Sequence, residues 1–152
     1  MTLRVLFTLL LLMLTSTGTF ALDAERFPTA SGHAYAEPYR AVRKEGVLHV
    51  ELRFVTDYAG YSGELIYKDI PLERVDGLIY AEFGDQSFSL LRENGRVVAP
   101  NSLRLGFNYD PERNPRVGAW QADFVAPQHD VDEITIFMPN VAPIGPIAIR
   151  DR

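Results

Sequence analysis

The sequence predicts an all-β fold: a β-sandwich of seven to nine short strands, with a small β-barrel as the alternative. Three observations predict it. No segment beyond residue 21 keeps a helical period for more than about two turns. Two segments, 47–56 and 118–125, alternate apolar and polar residues with the period of two of a half-buried strand. Turn formers punctuate the rest at short intervals, among them Asp76-Gly77, Gly84-Asp85, Asn94-Gly95 and the prolines from Pro127 to Pro146. Sequential hairpins suit both architectures. The long proline-containing crossings at 108–116 and 139–146 favour the sandwich.

Residues 1–21 stand apart. Arg4 precedes an apolar run over 5–14 broken only by Thr8, small polar residues follow, and Thr19 and Ala21 occupy the −3 and −1 positions of a cut. This is the layout of a cleavable secretory signal. An apolar run of this length covers about half of the roughly 20 residues needed to span a bilayer, which disfavours a retained anchor. Cleavage leaves 131 of 152 residues and removes one cation, taking the formal net charge from −5 to −6. That length suits one domain. The expected organisation is a signal peptide (1–21), an N-terminal leader (22–45) and a single sandwich domain (46–152).

An acidic chain without a basic run has nothing to offer nucleic-acid phosphates or anionic lipid. Its later apolar runs are short, so no stable membrane insertion is expected after cleavage. Cysteine is absent. That excludes disulfides, thiol catalysis, thiolate metal sites and a lipid anchor at the cleavage site. The expected protein is bacterial, exported to the periplasm or the exterior, and held together by its core.

Taken in order, residues 22–39 hold Pro28 and Pro38 and read as a leader with a short strand around 33–36. Charged residues 40–45 lead to Gly46, with a single helical turn over 39–44 as the other reading. Segment 47–56 follows. Leu48, Val50, Leu52 and Phe54 form its apolar face and His49, Glu51 and Arg53 its polar one. Asp57, Gly60, Ser62 and Gly63 make 57–63 a loop. Residues 65–70 form a short or edge strand, because Pro71 restricts Ile70 and donates nothing to a ladder. Asp76-Gly77 predicts a tight hairpin turn before a strand over 78–83, and Gly84-Asp85-Gln86 turns the chain again. Asn94-Gly95 between 87–92 and 96–99 is the strongest hairpin signal. Strand 103–107 and the exposed loop 108–116 precede strand 118–125, whose Trp120, Ala122 and Phe124 share a face. Trp120 and Phe124 are expected to meet Leu48, Val50, Leu52 and Phe54 across the interior. Strands 133–138 and 147–150 end the chain, the last expected to pair with other subunits if the protein assembles.

The second half carries a resemblance. Asn94-Gly95-Arg96-Val97-Val98-Ala99-Pro100, residues 118–127, residues 134–139 and Ile147-Ala148-Ile149 follow one another as they do in secreted bacterial immunoglobulin-like domains, many of unknown function. The chain lacks the two cysteines and the mid-chain tryptophan of antibody-type domains, so the likeness is one of architecture. It implies an immunoglobulin-like sandwich acting as a binding or structural module, and it carries over no catalytic residues.

The search for chemistry returns little. Gly60-Tyr61-Ser62-Gly63-Glu64 has Glu where a nucleophile elbow needs its last Gly, and a strand rather than a helix follows. His33, His49 and His129 lack the close pairing of zinc ligands. Asp130 and Asp132 share a side of an extended segment and are a weak calcium pair, without the Gly and the full ligand series of a calcium loop. Asp110, Glu112 and Asn114 form a weaker group. No cofactor is expected. Tyrosine is the suggestive residue. Tyr35 and Tyr39 precede the 47–56 strand, Tyr67 and Tyr80 read as strand residues, and Tyr58 and Tyr61 flank Gly60 on the loop. An apolar ring with a polar tip suits a binding surface. Tyr58, Tyr61 and Asp57 are therefore the candidate contact residues, for an unknown protein or carbohydrate partner. Two other readings remain: a small envelope hydrolase assembling His49 or His129 with distant groups, and a structural envelope subunit joined through edge strands.

Overall fold

A computed structural model describes residues 24–152; the expected signal peptide lies outside the described residues. The elements in order are β1 (Phe27–Pro28), β2 (Tyr35–Lys44), β3 (Val47–Val55), β4 (Glu64–Lys68), the single turn α1 (Leu72–Val75), β5 (Tyr80–Phe83), β6 (Gln86–Ser89), β7 (Arg92–Glu93), β8 (Arg96–Val97), β9 (Ser102–Leu105), β10 (Arg116–Val125), β11 (Glu133–Phe137) and β12 (Ile144–Asp151). The all-β class is observed. Seven strands form one mixed sheet in the order β10-β3-β2-β12-β11-β5-β6, with β1 added beside β2. The sheet curls into a half-barrel. Leu90, just past β6, bridges Phe124 of β10, drawing the two ends of the sheet together.

The core forms against one face of this sheet. The ribbon β4-β9 supplies Ile66, Tyr67, Leu103 and Leu105, which are buried with Leu48, Val50, Leu52, Phe54, Trp120 and Phe124 in one cluster. Burying each such side chain contributes on the order of 1.5–3 kcal/mol. The indole of Trp120 donates to the Tyr67 hydroxyl (2.8 Å), and that hydroxyl donates to the Pro100 carbonyl (2.9 Å). Sheet and ribbon are thereby joined without leaving a buried polar atom unpaired.

Several expectations change. The described residues of the expected leader, 24–45, belong to the fold. They include β1 and β2, and β2 is a central strand between β3 and β12. Glu45 and Gly46, at φ +50° and +80°, make the two-residue turn of a long β2-β3 hairpin in place of a helical turn. Pro38 does not end the strand, because the register slips between Pro38 and Arg40 and leaves Tyr39 as an extra residue. A bulge is where a strand tolerates proline, and it exchanges the faces on which later side chains fall. Trp120 and Phe124 do not oppose the β3 face across the interior. They sit beside Leu52 and Leu48 as cross-strand neighbours in the same sheet. Besides the large sheet, the described residues hold two two-stranded ribbons, β4-β9 and β7-β8.

Asp76 is αR at φ −66° and ends α1, so Asp76-Gly77 is not a hairpin turn. Asn94 and Gly95, at φ +51° and +73°, do form theirs, although β7 and β8 share only two residue pairs. The terminal strand is longer than expected and enclosed: β12 runs parallel to β2 and antiparallel to β11. It lies inside the sheet rather than at its edge.

That parallel pairing is locked by Arg43, which is only 5% exposed. Its guanidinium donates to the carbonyls of Gln128 (2.5 Å) and Val131 (2.9 Å), more distantly to those of Pro127 and His129, and to both oxygens of Asp151 (2.6 and 3.1 Å). Arg43→Ala orphans these carbonyls and is expected to destabilise the fold by on the order of 3 kcal/mol, read by denaturant unfolding. The Asp151 carboxyl is held below its ordinary range, first by its bond to Arg43. A depressed carboxyl stabilises the folded state above its unfolded pKa and loses that contribution as pH falls through its folded one. The melting-temperature deficit of Asp151→Asn is therefore expected to be largest near neutrality and to close in acid. A deficit independent of pH would show that the ion pair is not its source.

Candidate binding surface

Three loops meet at one end of the molecule: 29–34, 56–63 and 106–115. Thr56 is their junction. Its amide donates to the Pro115 carbonyl (2.9 Å), its hydroxyl donates to the His33 carbonyl (2.5 Å), and the same oxygen accepts from the Tyr58 amide (3.1 Å). The Asn108 amide donates to the Tyr61 carbonyl (2.8 Å). Within 106–115, Asn108 and Asp110 bond back to nearby backbone as Asx turns do.

Glu64, the first residue of β4, anchors this end. One of its oxygens accepts from the hydroxyls of Thr29 (2.5 Å), Ser31 (2.8 Å) and Tyr61 (2.8 Å). Burial opposes its ionisation, but these bonds outweigh it and hold the carboxyl below its usual range. Burial, reinforced by Glu64, pushes the Tyr61 phenol upward. Gly63 lets the loop enter β4 tightly, since at φ +83° a Cβ there would lie 2.5 Å from the Leu105 carbonyl oxygen.

The cross-tied loops present aromatic rings to solvent. Tyr58 is 49% exposed, with its ring centroid 4.0 Å from that of His33. Phe107 and Tyr109 are 53% and 78% exposed and pack edge to face at 4.2 Å. Of the expected contact residues, Tyr58 and Asp57 are exposed. Tyr61 is buried at 3% and supports the loop from beneath, so it is not a contact side chain. By sequence, Phe107 falls at the end of a strand and Tyr109 in a loop read only as polar, whereas both rings lie exposed past β9. Two large exposed rings around one Asn, next to the loop's turn formers, were the signal.

The other expected residues lie elsewhere. Asp130 and Asp132 are exposed, but neighbouring carbonyls of their loop already hold a cation, Arg43. Among the described residues no three His, Asp or Glu side chains gather as a metal site requires. Ser62 is an exposed loop residue, and His129 lies 3.8 Å from Asp151. Tyr80 stacks on Phe137.

The polar face of β3 gains partners that its own sequence does not reveal. His49 pairs with Asp123 of β10 and with Val42 of β2, and Glu51 with Arg40. The Asp123 amide and carbonyl point away from β3, to Val98 and Leu91. Asp123 and His49 therefore form a non-hydrogen-bonded pair, in which side chains approach closely. His49 Nδ1 lies 2.5 Å from Asp123, its Nε2 3.1 Å from Glu51, and Glu51 is bonded to Arg40. Arg40 holds the Glu51 carboxyl below its ordinary range. Beside this chain is an open hollow of about 410 Å³, rimmed by Lys44, Glu45 and Arg152. No helix among the described residues is long and apolar enough to cross a membrane. Comparison with known protein families, characterised proteins and solved structures finds no match.

Tyr61→Phe removes one of the three donors to Glu64 and is expected to cost about 1 kcal/mol of stability by chemical denaturation. Gly63→Ala is expected to cost more, because strain and a backbone clash coincide there. A neutral Gly63→Ala variant would show that the loop can enter β4 by another path.

Proposed function

We propose that the chain is an exported, non-catalytic binding domain that engages a protein or carbohydrate partner in the bacterial cell envelope through its aromatic loop end. The observation that carries this reading is that Tyr58, Phe107 and Tyr109 stay exposed on loops tied to one another by main-chain bonds. Rings held ready in this way bury large areas on contact while little chain entropy remains to be lost. Loops on a rigid β scaffold are also where recognition usually resides. Export rests on the layout of residues 1–21. The likeness to secreted immunoglobulin-like domains belongs to the same proposal. The ribbon layered on the main sheet and the loops gathered at one end support it, while the single large sheet separates this chain from the antibody-type arrangement.

A hydrolase has less support. His49 is oriented by Asp123, but its other nitrogen faces Glu51 rather than a hydroxyl nucleophile. Assembly through edge strands would have to use a strand other than β12, which lies inside the main sheet.

The double variant Tyr58→Ala/Tyr109→Ala is expected to keep the parent melting temperature. It should lower recovery of the crosslinked partner from native envelopes, or retention on a glycan array, by about tenfold or more, as loss of aromatic anchors usually does. Undiminished recovery with intact folding would remove the loop end as the contact surface.

A further inference from the structure

The outer face of β2, β3 and β10 holds a second feature, independent of the loop-end reading. An open hollow of about 480 Å³ is lined by Tyr39, Arg53, Arg116, Ala119 and Gln121, with Glu51 at one side. The β2 bulge places Tyr39 there, half exposed, and the Arg53 guanidinium carbon sits 3.5 Å from its ring centroid. Stacking occupies the flat faces of a guanidinium and leaves its in-plane N–H fork free, the geometry that meets a carboxylate with two parallel bonds.

The charges are arranged to leave that fork unspent. Among the described residues neither Arg53 nor Arg116 has an ion-pair partner. Glu37, opposite Arg53 on β2, is bonded to Arg26, and Glu51 is bonded to Arg40. The hollow thus holds two uncompensated cations on a protein whose net charge is negative. Gln121 adds an amide that can both donate and accept.

We propose that this hollow binds a carboxylate-bearing saccharide, a uronic acid unit of an acidic glycan, with Arg53 as the bidentate carboxylate ligand, Arg116 as the second cation, and Tyr39 and Gln121 against the ring and its hydroxyls. Charge complementarity sets the carboxylate. The β10 edge sets the saccharide over an acidic peptide. Main-chain groups of alternate β10 residues point away from β3, but those of Val117 and Asp123 are already bonded to Gly106 and to Leu91 and Val98. Only Ala119 and Gln121 remain between them, too short an edge for an added peptide strand. The ligand is therefore read by side chains from an open face.

The test is a titration of the isotope-labelled protein, followed by NMR, with oligogalacturonate and oligoglucuronate as probes. Their carboxyl-reduced neutral counterparts and an oligo-aspartate peptide serve as comparisons. Saturable shifts are expected at Tyr39, Arg53, Ala119 and Gln121 with a uronate probe, and much weaker ones with the neutral sugar. Arg53→Gln and Arg116→Gln are each expected to weaken binding by about tenfold, the usual scale for a lost charge-assisted bond. Arg53→Lys, which keeps the charge but not the fork, is expected to lose nearly as much as Arg53→Gln. Four results would each overturn the proposal: no shifts at millimolar uronate, equal binding of the neutral sugar, tighter binding of oligo-aspartate, or full affinity in Arg53→Lys. Because Tyr58, Phe107 and Tyr109 take no part, failure here leaves the loop-end reading standing, and failure there leaves this one.

Discussion

The Arg43 guanidinium is the contact on which the rest of the architecture depends. It is a charge placed where the sheet would otherwise bury an apolar residue, and a charge is kept there only when its donors are met. Carbonyls from the loop between β10 and β11 and the carboxylate of β12 meet them. Three stretches distant in sequence thus converge on one side chain. Parallel pairing of β2 with β12 needs such a clamp, because the residues paired are more than a hundred positions apart and no hairpin turn joins them. With β12 fixed against β2, the sheet becomes continuous from β10 through β6 and can curl until Leu90 reaches Phe124.

A continuous curled sheet has two unlike faces, and the β2 bulge determines which side chains reach each. Before Tyr39 the inward residues are Ala34, just ahead of β2, and Ala36, and after it they are Ala41 and Arg43. Without the extra residue, Arg43 would point to solvent and Arg40 and Val42 into the core. The same insertion that buries the clamp also sets Tyr39 on the outer face beside Arg53. Fold and outer surface are therefore not separable at this position: deleting the bulge would unmake both.

What was legible in the sequence followed from local rules. The alternation of β3, β10 and β11 fixed their buried faces, and Asn94-Gly95 marked its hairpin. What was not legible depended on register. Pro38 reads as a break unless a bulge is foreseen, so a central strand passed for a leader. Glu45 masked the β2-β3 turn, because a non-glycine residue at positive φ is uncommon. The aromatic strand β10 was expected opposite β3 rather than beside it, since alternation gives the face of a residue but never its neighbour. The candidate surface divides in the same way. Tyr58 was visible as an aromatic residue on a loop. The burial of Tyr61 and the pairing of His49 with Asp123 required partners that no local pattern names.

The His49 chain also bears on why binding is the better-supported reading. An imidazole held by an aspartate becomes a general base when its far nitrogen faces a group to be deprotonated. Here the far nitrogen faces Glu51, which is itself tied to Arg40. The four groups form a ladder of side-chain contacts across β10, β3 and β2. Such a ladder ties the polar faces of three strands to one another. The groups left unspent lie outside it: the guanidinium fork of Arg53 on the face and the rings of Tyr58, Phe107 and Tyr109 on the loops. Exposed rings and unpaired donors are the groups recognition uses, so the proposed contacts are sought on the outer face and at the loop end rather than at the His49–Asp123 pair.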